Sequence, residues 1–182
     1  MKAVMLSIQP KWCEKIASGE KTVEVRKTRP KIETPFKCFI YCTKDEPMYR
    51  SGEKFWCKIA GDFGNGKVIG EFVCDKIDKG VLTVSRFVDS TNIGSEETCV
   101  SIDELKAYFG IRSVERTGIY VFYGWHISDL VIYDKPKELG EFFKACDKPP
   151  LIDCSKCVDQ KQNVCKPLSR PPQSWSYVEV NE

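Results

Sequence analysis

Three ionisable side chains of mixed sign fall within one short stretch, Gly19-Glu20-Lys21-Thr22-Val23-Glu24-Val25-Arg26. Lys21 and Arg26 bring cationic donors, and Glu24 brings a carboxylate between them. Two cations around one acid suit an anionic or amide-bearing ligand, such as a phosphate or a nucleobase. The same residues could instead form an Arg–Glu pair decorating the face of a sheet. Val23 and Val25 alternate with Thr22, Glu24 and Arg26, the period of a half-buried strand. Such a strand sends the valines to one side and Glu24 and Arg26 to the other. Gly19 supplies a permissive backbone just before it, and Lys21 sits where a helix hands over to the strand. The expectation is a cationic rim with one carboxylate inside.

The residues after the strand extend the charge. Lys27, Arg29 and Lys31, punctuated by Pro30 and Pro35, read as a basic loop able to meet a phosphate backbone. Trp125 is a candidate for stacking on a base. His126, the single histidine, reads either as a hydrogen-bonded structural residue or as an acid–base group. No Ser-His-Asp set, phosphate-binding loop or dinucleotide glycine motif occurs.

Bulk composition narrows the classes. A chain of 182 residues fits one domain, or a domain with an extension, and can bury a core. Lys plus Arg number 28 against 26 Asp plus Glu, a net charge of +2. A strongly basic nucleic-acid coat is therefore excluded, and any such contact must come from a local patch. There is no apolar run long enough for a membrane span and no apolar leader at Met1-Lys2-Ala3-Val4-Met5, so a cytoplasmic protein is expected. In that compartment the ten cysteines read as buried thiols or metal ligands.

The positioning elements follow from pattern. Lys2 to Ile8 is a strand. Pro10 opens a helix that Gly19 closes, with Trp12, Cys13, Ile16 and Ala17 on its inner face. Phe36 to Cys42 is a strand, on which Cys38 and Cys42 stand about 13 Å apart, too far to share a metal. Phe55 to Ile59 is a short strand. Val68 to Ile77, entered through Gly64-Asn65-Gly66, is the longest. Val81 to Val88 is a further strand or an approach loop. Ser101 caps a helix over 102–109, with Glu104 completing the capping box and Gly110 ending it. Ile119 to Tyr123 and His126 to Tyr133 are strand-like, and Pro136 opens a last helix carrying Leu139, Phe142 and Phe143. Strands dominate the centre, with two or three short helices inserted rather than alternating. That predicts an α+β protein built as a small mixed β-barrel.

The motif Gly19-x-Lys21-x-x-Glu24-x-Arg26 resembles the signature of the ASCH (activating signal cointegrator homology) domain. So do Leu6-Ser7-Ile8-Gln9-Pro10-Lys11-Trp12 and Arg26-Lys27-Thr28-Arg29-Pro30. Gly124-Trp125-His126-Ile127-Ser128-Asp129-Leu130, the run 132–139 and Arg170-Pro171-Pro172-Gln173-Ser174-Trp175 are similar to its longer, often prophage-encoded members. The resemblance implies a PUA-like β-barrel over 1–145.

Beyond it, residues 146–182 read as a Cys/Pro-rich extension packed on the barrel. Cys146-x7-Cys154-x2-Cys157-x7-Cys165 offers four thiols, and C-x2-C is a spacing at which two thiolates reach one Zn²⁺. A structural zinc is expected there, with free thiols as the alternative. Pro167 to Tyr177 reads as an extended, polyproline-like strap that Trp175 and Tyr177 anchor.

The expected function is RNA or nucleotide binding in a cleft lined by Lys21, Glu24, Arg26, Lys27, Arg29, Trp125 and His126. One alternative is an amidohydrolase acting on a modified nucleoside such as acetylcytidine. Small bacterial ASCH-like proteins of that activity use the matched lysine with a threonine where this chain has Glu24. Here Glu24 would act as general base on water, Lys21 or Arg26 would stabilise the oxyanion, and Glu97 would stand near the position of the family's second carboxylate. The other alternative is a zinc-stabilised protein-interaction adaptor.

Overall fold

The computed structural model describes residues 2–44, 48–50, 53–55, 66–111, 117–145, 157–159, 164–165 and 167–179. The chain divides into two compact units. One contains Met1–Glu14, Phe36–Phe72 and Leu130–Glu182, and the other Lys15–Pro35 and Val73–Asp129.

The first strand, β1 (Lys2–Ile8), leads into a helix, α1 (Pro10–Ala17). Then come β2 (Val23–Arg26), β3 (Phe36–Cys42), β4 (Met48–Arg50), β5 (Glu53–Phe55), β6 (Val68–Cys74), β7 (Ile77–Val84) and β8 (Ser90–Thr91). Two helices follow, α2 (Ser95–Thr98) and α3 (Ile102–Phe109). The remaining strands are β9 (Gly118–His126), β10 (Ser128–Lys137), β11 (Phe143–Lys144), β12 (Cys157–Asp159), β13 (Val164–Cys165) and β14 (Trp175–Glu179).

A six-stranded sheet, ordered β10-β6-β3-β1-β14-β11, organises the first unit. Its middle strand is apolar on both faces: Ala3, Val4, Met5 and Leu6 have no exposed surface. A strand covered on both sides reads as a continuous apolar run rather than an alternating one. Cys38 and Cys42 are fully buried in the adjacent β3, as small core residues. Ala3, Met5, Phe39, Tyr41, Val68, Phe142 and Val178 form one core cluster. At its margin Glu71 accepts from the Tyr133 hydroxyl at 2.6 Å and pairs with Lys37 at 2.8 Å, joining β10, β6 and β3.

The second unit is built on a four-stranded sheet, ordered β2-β9-β7-β8. Val25, Leu82, Val84, Leu105, Ile111 and Phe122 make its core. The capping box of Ser101 and Glu104 is present on α3, and Gly110 ends that helix at φ +75. Gly80 lies opposite Phe122, whose ring leaves no room for a Cβ there. Two short ribbons, β4–β5 and β12–β13, complete the strands.

The α+β class and the predominance of strands agree with expectation. Both larger sheets are open, and neither closes on itself among the described residues.

Four local expectations are corrected. Val68–Ile77 is not the longest strand, because β6 ends at Cys74 and β10 is longer. Pro136 opens no helix. It lies within β10, an edge strand, the place in a sheet where proline is tolerated. The chain then makes only a 3-10 turn at Leu139–Glu141, and Phe142 turns extended to pack its ring 4.9 Å from Phe39. The stretch from Trp175 is no strap but a strand, paired antiparallel with β1 and with β11. Ser7 fixes its approach, with its hydroxyl donating to the Pro172 carbonyl at 2.6 Å. Finally, β2 is not half-buried: all four of its residues are buried. The expected strand at Phe55–Ile59 is described only as far as Phe55, within β5.

Candidate functional site

Lys21 follows α1 through Gly19, whose φ of +79 turns the chain. Its backbone N–H donates to the Lys15 carbonyl at 2.9 Å. The side chain then runs inward until only 1 % of the residue is exposed. The ammonium donates to the Val23 carbonyl at 2.9 Å and the Thr98 carbonyl at 2.5 Å, and lies 3.4 Å from Glu24 Oε2. An ammonium has three donors, and three acceptors of the protein surround this one.

Thr98 is the last residue of α2, and the Thr22 N–H donates to the neighbouring Glu97 carbonyl at 3.0 Å. Lys21 and Thr22 thus take up the carbonyls that a helix leaves unsatisfied at its C-terminus. On the other oxygen of Glu24, Oε1, the Arg26 guanidinium closes at 3.0 Å. Glu24 is 5 % exposed and Arg26 6 %. The three charges meet, as their spacing predicts, but as an enclosed triad rather than a rim.

Trp125 lies directly across from Glu24 in the β2–β9 pairing and has no exposed surface. His126 is partly exposed, and its Nε2 lies 2.8 Å from Asp78 Oδ2, which also accepts from Lys76 at 2.7 Å. The hydrogen bond from Lys76, reinforced by that of His126, holds the Asp78 carboxyl below the usual range. Nearby Cys74 is pushed up to about 12 by burial, which leaves it a thiol rather than a nucleophile.

The solvent-facing cations come next along the chain. Lys27 Nζ stands 4.7 Å from the Tyr108 ring centroid and 5.3 Å from that of Phe109. Burial pushes the Tyr108 hydroxyl up. The Arg29 guanidinium lies 5.9 Å over the Tyr123 ring. Arg29, Pro30, Lys31, Ile32, Glu33 and Thr34 line a cleft of about 660 Å³. The loop that the triad introduces is therefore concave and carries exposed positive charge.

Comparison with known proteins follows this geometry. Residues 6–77, which hold both the triad and the loop, match the family model of the ASCH domain. This segment resembles the ASCH domain. A solved structure of ASCH from Zymomonas mobilis is similar, with a TM-score of 0.51 and 20 % identity, covering 97 % of this chain and 87 % of that one. A tyrosine-to-phenylalanine variant of the same protein gives 0.53 and 19 %, covering 98 % and 91 %. At that identity the likeness establishes the fold. No curated protein matches the sequence.

Other nominated positions lie outside the matched ASCH segment. Trp125 and His126 belong to β9, beyond residue 77. Of the four nominated zinc ligands, Cys146 and Cys154 lie outside the described residues. Cys157 and Cys165 are direct partners across the β12–β13 ribbon. Among the described residues no group of three or more His, Cys, Asp or Glu is placed to hold a metal. No helix among them is long and apolar enough to cross a membrane.

Sequence reasoning missed α2, Tyr108 and Tyr123. Gly94-Ser95 followed by Glu96 and Glu97 is a helix-start signal, but α2 is four residues long, too short for any apolar period to register. The tyrosines carry no motif. Only the fold brings them beside the ASCH segment's cations.

Proposed function

We propose that the protein binds RNA or a nucleotide through the loop after β2, with the Lys21–Glu24–Arg26 triad holding that loop in shape. ASCH domains form a PUA-like family thought to bind RNA, which supports the ligand class. The observation that carries the reading is the cleft at Arg29–Thr34, with Arg29 and Lys31 on its wall, set three residues beyond a buried triad. A fixed base presents the exposed cations without a large ordering cost on binding. The triad itself, at 1–6 % exposure, serves the protein rather than a ligand. The same enclosure weighs against deacetylation of acetylcytidine, because Lys21 would have to abandon the carbonyls of Val23 and Thr98 to act on a substrate.

The test is a fluorescence-anisotropy titration of a labelled single-stranded RNA across a salt series. Replacing both Arg29 and Lys31 with glutamine removes two phosphate contacts, so the slope of log K against log salt falls in magnitude by about 1.4. An unchanged slope and affinity refute the reading.

A second reading, a zinc-stabilised adaptor for a protein partner, draws on Phe87 and Val88, which are 96 % and 72 % exposed. The Cys154-x2-Cys157 spacing, a separation at which two thiolates reach one Zn²⁺, supports a structural ion. Elemental analysis of the purified protein tests it: one zinc per chain is expected, falling to none in Cys157→Ser.

A further inference from the structure

Residues directly opposite one another in a sheet project from the same face. The register of the four-stranded sheet therefore sorts its side chains into rows. Arg26 pairs with Tyr123, and Tyr123 pairs with Lys79, making one row across β2, β9 and β7. Next along the same face, Val121 pairs with Val81, and Ile119 with Thr83. In the other direction Trp125 pairs with Glu24 and Ile77.

The Trp125 end of this face is buried, while the other end is open: Ile119 is 72 % exposed, Val121 37 %, and Lys79 is exposed. Tyr123 stands at the border, half-buried, with Arg29 over its ring. The rows contain a single carboxylate, Glu24, and it is engaged by Arg26 and Lys21. The face thus offers an aromatic ring and an apolar strip beside Lys79 and Arg29, and its own rows carry no acid besides Glu24, although Glu33 shares the cleft with Arg29.

We propose that this open face is a stacking platform for single-stranded nucleic acid, with Tyr123 as the base contact and Lys79 and Arg29 as the phosphate contacts. The proposal rests on the binding reading above and names where the bases go. The charge pattern selects an anionic partner, and the accessible ring selects an unpaired base. An aromatic on a sheet stacks a base irrespective of its identity, whereas duplex bases keep their faces stacked on one another. Arg29 already occupies a position over the ring. A base arriving there frees the guanidinium for the adjoining phosphate.

The experiment compares a labelled single-stranded RNA with the same strand annealed to its complement, using the full chain after thermal melts confirm folding. Wild type is expected to prefer the single strand. Tyr123→Leu weakens single-strand binding by about tenfold, and Tyr123→Phe retains it within about twofold. Lys79→Gln lowers the magnitude of the salt slope by about 0.7 and, being exposed, keeps the test open if Tyr123→Leu fails to fold. Equal affinity for duplex and single strand, or wild-type affinity in Tyr123→Leu while the Arg29/Lys31 variant is weakened, overturns the platform and leaves the loop reading standing. A wild-type chain that binds neither form removes both, and leaves the face to a protein partner.

Discussion

Glu24→Ala lowers the unfolding free energy by about 3–5 kcal/mol, the scale found when one partner of a buried ion pair is removed. Lys21 and Arg26 both lean on that carboxylate, at 3.4 and 3.0 Å, and neither can reach bulk water where it lies. Without Glu24 two like charges share an enclosed space. Lys21 also holds α2 to the start of β2 through the Thr98 carbonyl, so strain at its ammonium spreads to that join. Glu24→Gln keeps an acceptor and costs less. Glu20→Ala is the control: its pair with Lys15 is exposed at 60 % and 41 %, where solvent screens the interaction, and stability barely moves. Urea denaturation followed by tryptophan fluorescence reads all three. A Glu24→Ala midpoint equal to wild type would show that the triad does not hold the fold.

The second large effect is expected at Trp125, where truncation to alanine costs about 3–5 kcal/mol. The ring is fully enclosed and faces Glu24 on one neighbouring strand and Ile77 on the other. Removing it opens a void on the buried half of the same sheet face whose other half is open. Trp125→Phe refills most of that volume and retains both fold and RNA affinity. The opposite pattern, normal stability in Trp125→Ala with lost RNA binding, would make the indole a ligand contact and contradict the assignment of stacking to Tyr123.

The spacing of Lys21, Glu24 and Arg26 was enough to foretell that they converge, because strand alternation puts Glu24 and Arg26 on one side and the preceding turn brings Lys21 to them. It was not enough to foretell their burial. Charged residues read as surface, and what encloses these comes from distant sequence: Lys21 meets Thr98, 77 positions away. The same limit hid the last strand. Pro171-Pro172 suggests a strap, yet the following segment finds its hydrogen bonds on β1, with Ser7 and Pro172 165 positions apart. Local chemistry was legible where it is local. The Ser101–Glu104 capping box and the glycine stop at Gly110 appear as the sequence reads them. Pro136 went the other way, since a helix-opening proline and an edge-strand proline look alike until the neighbouring strand is known.

Lysine acetylation footprinting of the folded chain, read by mass spectrometry with and without single-stranded RNA, reaches the central claim directly. Lys21 is expected to stay unmodified in both states, while Lys31 and Lys79 react in the free protein and are protected when RNA is added. Ready acetylation of Lys21 in the free chain, lost on adding RNA, would mean that the triad faces the ligand and that its enclosure is wrong.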